Sequence, residues 1–256
     1  MTSQKRSRRA VLGSSAAILA SLSGCTSIVN SLEQRELEST SQPPTADSNP
    51  TGTALSLYAS TDTTTFGVDL TGNPLIGSPD AHVDMYYWSD FQCPFCNRFE
   101  QNTAPKLIEN DVSNGNLRIV LLELPNIGDE STIAAAMSKC VWDQVKADRP
   151  DVYYRWHSAV FDAQKEPNSR WAVRENLHAI TESVGGVDAE AVHSCLENRR
   201  SKMKGWVEQD LEQADEQGIG LTPGFALYNH ETENAKRLTG AQPYERFKSE
   251  IEKLAE

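Results

Sequence analysis

Lysine is scarce in this chain: 10 of 256 residues, beside 14 arginines and 36 acidic residues, for a formal net charge of −12. That balance argues against nucleic acid as a partner, because phosphate binding needs a positive patch. An acidic, lysine-poor surface suits work in concentrated salt, and equally an ordinary acidic soluble protein. No internal repeat is apparent. The chain has 5 cysteines and 5 histidines, yet no H-x₃₋₅-H pair and a single C-x-x-C. A four-ligand zinc site therefore lacks half its donors, and neither metal nor cofactor is expected.

The N-terminus also lacks what a membrane-spanning helix needs. Ala10–Ser23 is weakly apolar, is interrupted by Gly13, Ser14 and Ser15, and falls short of the ~20 apolar residues required. Lys5, Arg6, Arg8 and Arg9 precede it, so residues 1–24 have the layout of an export signal. Ser7-Arg8-Arg9-Ala10-Val11-Leu12 resembles the twin-arginine type. Leu22-Ser23-Gly24-Cys25 looks like a lipobox, whose cleavage leaves Cys25 as a lipid-modified N-terminus. Residues 25–54 are polar, rich in Ser, Thr and Glu, and carry Pro43-Pro44. They read as a flexible tether. Loss of the leader leaves 20 basic against 36 acidic residues, a net charge of −16. Export would place the chain where thiols tend to be oxidised.

What the chain does have is Cys93-Pro94-Phe95-Cys96, set just after the apolar and aromatic run Val83–Ser89. At a strand-to-helix turn the first sulfur sits at the positive end of the helix dipole. That lowers its pKa and makes it a nucleophile. A structural disulfide across two residues would close almost no loop and add little stability. The spacing and its context point to a redox site.

The rest of the chain supports that setting. Thr65–Val68 is a candidate first strand, and Asn73-Pro74 and Gly77–Asp80 mark turns. A helix is expected from Cys93 with Pro94 at its first position, Phe95 and Phe99 sharing a face, and a break near Pro105. Leu117–Leu122 reads as a strand buried on both faces and, across the intervening helix, parallel to the strand Val83–Ser89. Residues 129–217 show helical spacing punctuated by Pro150, Pro167 and Gly185-Gly186. Phe225–Tyr228, Ala235–Leu238 and Pro243–Leu254 follow as strand, strand and helix.

Taken together these pieces resemble the DsbA-like branch of the thioredoxin superfamily. The residues that carry the likeness are Gly77-Ser78-Pro79-Asp80-Ala81, Ser89-Asp90-Phe91-Gln92-Cys93-Pro94-Phe95-Cys96, Thr222-Pro223, and Gly240-Ala241-Gln242-Pro243-Tyr244. The resemblance implies an α/β thioredoxin-like fold, residues 55–128 and 218–256, interrupted by a helical domain, 129–217. It implies that Cys93 is an exposed attacking thiolate, Cys96 its buried resolving thiol, and Thr222-Pro223 a cis-proline loop that pairs with substrate backbone. Pro94, Phe95 and Asp90 would shape the motif. Asp90 matches a family aspartate that could move protons, although a turn role is the simpler reading.

Three departures stand out. Phe95 replaces the histidine of strongly oxidising relatives, so Cys93 should be less acidic and the enzyme less oxidising. Tyr87 stands where many relatives carry a glutamate, six residues before the first cysteine. Leu221 occupies a loop position where glycine is common. Cys140 and Cys195 are either separate buried thiols or, as in some relatives, a second disulfide in the helical domain. Trp156 and His157 are expected to pack the helical core, and no histidine is assigned to catalysis.

The function these residues favour is an exported, lipid-anchored thiol–disulfide oxidoreductase acting on cysteine-containing exported proteins and reset by a redox partner. A reductase or isomerase of the same fold, or a tethered binding module without turnover, are the alternatives. The lipobox yields a direct test. Cys25→Ser should leave the membrane fraction or fail to be processed, read by fractionation and gel mobility. A Cys25→Ser protein that stays anchored with unchanged mobility would remove the lipoprotein reading.

Overall fold

Val83–Ser89 and Leu117–Glu123 are buried along their whole length and pair in parallel at the centre of a six-stranded sheet. The computed structural model describes residues 55–255; the leader, Cys25 and the tether lie outside them. In chain order the described residues form β1 (Leu57–Tyr58), β2 (Leu75–Ile76), β3 (Val83–Ser89), α1 (Pro94–Asn102), α2 (Ala104–Leu107) with a π-helical turn (Ile108–Val112), and β4 (Leu117–Glu123). Then come α3 (Asp129–Val145), α4 (Asp151–Asp162), α5 (Arg174–Ser183), α6 (Ala189–Asn198), α7 (Arg200–Glu216), β5 (Gly224–Asn229), β6 (Ala235–Thr239) and α8 (Tyr244–Ala255). The sheet order is β1-β2-β4-β3-β5-β6, with every pair except β3/β4 antiparallel.

Alternation along β3 divides the interior in two. Val83, Met85 and Tyr87 face a large core with α1, α8 and the inserted helices. Tyr86 and Trp88 face a smaller one closed by Val68, Leu70 and Ala214. Both faces are covered, which explains why β3 and β4 are apolar throughout.

Helices α3 to α7 all fall between β4 and β5, giving the thioredoxin-like fold its helical insertion. The insertion is fastened to the sheet by buried polar bonds. Lys139 on α3 pairs with Asp210 on α7 at 2.5 Å. Asp210 also accepts from Asn73 at 3.0 Å and from the Glu123 N–H at 2.9 Å, and its carbonyl accepts from Trp88 at 3.0 Å. Within the insertion, a disulfide joins Cys140 on α3 to Cys195 on α6.

Two local expectations are corrected. Thr65–Val68 is a turn rather than a strand: Gly67 has φ of +88°, and a bridge between Thr63 and Asp69 closes the loop. Phe66 instead lays its ring over Tyr86 and Tyr228, at 5.3 and 4.8 Å. Phe95 and Phe99 do not share a buried face. Phe99 packs against Tyr87, Phe225 and Phe247, while Phe95 is 51% exposed. The i, i+4 spacing places both rings near one stripe, but at the start of α1 only the Phe95 side is open to solvent, while Cys96 in the same turn is buried.

The Cys140–Cys195 bond spans 55 residues. In the chain-entropy model such a loop is worth about 4 kcal/mol. The double variant Cys140→Ser/Cys195→Ser should therefore unfold at clearly lower urea, with a loss of about 2–4 kcal/mol. An unchanged urea midpoint would show that the bond does not stabilise the fold.

Candidate functional site

The site forms where β3 ends. Cys93 is the N-cap of α1, in extended conformation with φ −78° and ψ 117°, and Pro94 follows at the first helical position. Pro94 has no N–H to leave unsatisfied there, so the helix can start at once. The loop is held from several sides. The Cys93 N–H donates to the Asp90 carbonyl at 2.9 Å. The Asp90 carboxylate accepts from the N–H groups of Gln92, Asn126 and Ile127 at 2.8, 2.9 and 3.1 Å. Burial nevertheless raises the Asp90 pKa, with these bonds pulling it back. Asp90 thus clamps the loop after β4 to the loop after β3.

The insertion also grips this loop. Gln164, just after α4, donates to the carbonyls of Phe91 and Cys93 at 2.6 and 3.1 Å. Gln92 donates to Ser131 at 3.0 Å and accepts from the Asn168 N–H at 2.8 Å. Sequence reasoning missed Gln164 and Gln92, because neither contact has a local signature.

The two thiols are both reduced and differ sharply. Cys93 has its pKa lowered to about 6, chiefly by a hydrogen bond from Cys96, then by Thr222 and the N–H groups of Cys96 and Phe95, against a desolvation cost. Cys96 is fully buried, and burial first, then the neighbouring Cys93, drives its pKa well above the ordinary thiol value. One sulfur is therefore a thiolate at neutral pH and the other a thiol.

The structure corrects one detail: Cys93 is only 4% exposed. In its protonated form its Sγ donates to the Thr222 carbonyl at 3.3 Å. The Thr222–Pro223 peptide is cis. Leu221 does not adopt the left-handed backbone for which glycine would be needed, so the substitution is accommodated. The close approach falls instead on Gly224, where a Cβ would lie 2.7 Å from the Leu221 carbonyl. Phe95 and Leu221, 51% and 65% exposed, are the exposed large apolar side chains among the described residues, and both adjoin the site in sequence. The Arg98 guanidinium sits 5.0 Å over the Phe95 ring.

His157 packs in the core against Phe91 and Phe161 and also pairs with Glu100 of α1. Glu100 carried no sequence signal beyond its place four residues after Cys96. Among the described residues no three His, Cys, Asp or Glu side chains gather as a metal site, and no helix is long and apolar enough to cross a membrane.

A family model described as thioredoxin matches residues 69–253. The disulfide bond formation protein D of Bacillus subtilis (strain 168) is 25% identical over 182 residues, covering 71% of this chain and 77% of that protein. A probable disulfide bond formation protein D of Bacillus anthracis is 25% identical, covering 58% of this chain and 66% of that protein. Among solved structures, oxidised BdbD from Bacillus subtilis superposes with a TM-score of 0.62 at 24% identity, over 73% of this chain and 94% of that one. The α-DsbA1 protein of Wolbachia pipientis gives 0.63 at 20% identity, over 75% and 96%.

The Cys93 environment sets a pH dependence. Alkylation of the reduced protein should rise through an inflection near pH 6 and level off above it, because the thiolate is the reacting form. The same depressed pKa stabilises the reduced fold. That contribution is full above the unfolded thiol value of about 8.5 and is lost as pH falls through about 6. An alkylation inflection near 8.5 would mean that the helix start does not activate Cys93.

Proposed function

The chain belongs to the thioredoxin family, in its DsbA-like branch of thiol–disulfide oxidoreductases, and from that premise we propose that it oxidises cysteine pairs in exported proteins. The observation that carries this reading is the split between Cys93, with a pKa of about 6, and Cys96, far above it, beside a cis Thr222-Pro223. Lowering the pKa of Cys93 stabilises the reduced dithiol, and a stabilised reduced form makes its disulfide an oxidant.

In the oxidising direction, a substrate thiolate attacks Sγ of Cys93 in the disulfide form. The Cys93–Cys96 bond breaks, a mixed disulfide forms on Cys93, and Cys96 leaves with the electron pair and takes a proton. A second substrate thiolate attacks the substrate sulfur, and Cys93 leaves as the stabilised thiolate. The substrate is oxidised and the enzyme is left as dithiol. A redox partner must then remove two electrons to restore the disulfide. The Thr222 carbonyl, which accepts from the reduced Cys93 thiol, loses that donor once the disulfide forms and is then placed to meet an extended substrate, and the exposed rims Phe95 and Leu221 offer it apolar contact. Phe95 adds no positive charge, which suits an oxidant milder than relatives with histidine there. The export signal and Cys25 lipobox would place this activity on the outer face of the cytoplasmic membrane.

Trapping tests the roles. Cys96→Ser should accumulate mixed disulfides with exported proteins on non-reducing gels, and Cys93→Ser should form almost none. Wild type should also reoxidise reduced ribonuclease in the presence of a small oxidant. Equal trapping by both variants would overturn the roles, and trapping by neither would favour a binding module without turnover.

A further inference from the structure

The Cys93 thiolate is stabilised by dipoles. Its largest influences are the Cys96 thiol, the Thr222 side chain and the N–H groups of Cys96 and Phe95, set against the cost of burial, and no full charge is among them. The charged groups on the neighbouring elements are engaged elsewhere or face water. Asp90 spends its carboxylate on the N–H groups of Gln92, Asn126 and Ile127. Arg98 of α1 lies over the Phe95 ring, and Lys165, Glu166 and Arg170, in the loop after α4, are exposed. Dipoles stabilise a charge only while they are aimed at it. The backbone that aims the α1 N–H groups is therefore part of the chemistry.

That backbone is anchored from the insertion. Nε2 of Gln164 donates to the carbonyls of Phe91 at 2.6 Å and Cys93 at 3.1 Å. Among the described residues Gln164 is the one side chain hydrogen-bonded to the Cys93 backbone. The remaining bonds of that backbone are local: the Cys93 N–H donates to the Asp90 carbonyl, and the Asn97 N–H donates to the Cys93 carbonyl. One amide thus ties together the two carbonyls that flank Gln92. The loop carrying this amide is itself tightly held. Its Asn168 and Arg170 have φ of +57° and +62°, a left-handed backbone that residues other than glycine rarely adopt. Asn168 donates through its side chain to the Ile127 carbonyl at 3.2 Å, and Asn176 donates to the carbonyls of Arg170 and Trp171 at 3.2 and 3.1 Å. A backbone of this kind persists only where its surroundings over-determine it, and such positions collect at functional sites.

We propose that Gln164 is a positioning residue for thiol–disulfide exchange: by fixing the Phe91 and Cys93 carbonyls it keeps the N–H groups of α1 aimed at the Cys93 sulfur and so sets how strongly the disulfide oxidises. Two effects act in the same direction. The Cys93 carbonyl oxygen is the negative end of a dipole in the same residue as the sulfur, and the Gln164 N–H offsets it. Holding that carbonyl also holds the Cys93 ψ angle, on which the place of the sulfur relative to α1 depends. Both favour the thiolate, hence the reduced dithiol, hence a disulfide that takes electrons more readily. The inserted domain thereby tunes the reaction through an uncharged side chain that never touches the sulfur.

This inference rests on the oxidoreductase reading, and its test reports on the two separately. Gln164→Met keeps the length of the side chain and loses the donor. Gln164→Glu loses the donor and sets a carboxylate against the two carbonyls. Lys165→Ala, next in the loop, is the control. Each protein is measured by the pH profile of Cys93 alkylation, by its equilibrium with glutathione, and by its urea midpoint. In that equilibrium two glutathione thiols join as a disulfide and their two electrons break the Cys93–Cys96 bond; of the two protons released, Cys96 keeps one and the other goes to water. In Gln164→Met the alkylation inflection should move up from about 6 by about 0.5–1 in pH, and the oxidised protein should be about three- to tenfold weaker as an oxidant of glutathione, the worth of one amide hydrogen bond. Gln164→Glu should move both further in the same direction, and Lys165→Ala should move neither. An inflection and an equilibrium unchanged in both Gln164 variants, whatever their urea midpoints, would overturn the positioning role and leave the oxidoreductase reading intact. Wild type that exchanges no disulfide with glutathione would overturn both.

Discussion

The buried Lys139–Asp210 pair is the constraint on which the arrangement of the molecule depends. Neither side chain is more than 1% exposed, so each charge is tolerated only because the other is there. Removal of one partner from such a pair costs about 3–5 kcal/mol, because the remaining charge is left without solvent. The pair draws α3 and α7 together, and Asp210 also takes up the N–H of Glu123 and, through its carbonyl, the Trp88 indole. The insertion is thus registered on the ends of β3 and β4, the ends from which the active loop departs. Greasy packing alone would permit sliding; directional bonds to two strands permit one position.

That registration matters because the loop carrying Cys93 is held largely by the insertion. Gln164, Ser131 and Asn168 contact Phe91, Gln92 and Cys93 from one side, and Thr222 contacts Cys93 from the other. At the sulfur itself the donors are the Cys96 thiol, the Thr222 side chain and the N–H groups of Cys96 and Phe95, and fixed donors stabilise a charge without reorganisation when it forms. The same helix that exposes Cys93 to those donors turns Cys96 inward by one turn. A single structural step produces two thiols of opposite character, which is what directional exchange requires.

Much of this was legible in the sequence, and the limits have physical reasons. The strands β3 and β4, the helix start at Pro94 and the final helix each carry a long enough pattern to be read alone. The insertion was visible as helical periodicity between two sheet segments. The two-residue strands β1 and β2 could not be read, since two residues hold no period. Thr65–Val68 has strand-like composition, but its aromatic ring serves a contact with Tyr86 and Tyr228 far along the chain. Asp90 was seen as a motif residue, yet its partners Asn126 and Ile127 lie beyond any local rule. Glu100 and His157 are 57 residues apart and meet only because the insertion folds over α1. Cys93 was expected to be open; the Thr222 loop covers it.

The exposure of Phe95 and Leu221 completes the physical picture. An exposed aromatic ring and an exposed leucine gain nothing for the fold, and beside a reactive sulfur they invite association with any apolar segment. The strongly acidic composition offsets that tendency over the rest of the surface by keeping copies of the chain apart. The balance suits the proposed exchange, which needs apolar contact at one place and repulsion elsewhere. Arg98 over the Phe95 ring holds that side chain in place while leaving much of it open to solvent. A cation–π contact at an exposed site is worth about 0.5–1 kcal/mol, enough to bias the ring's orientation and too little to fix it.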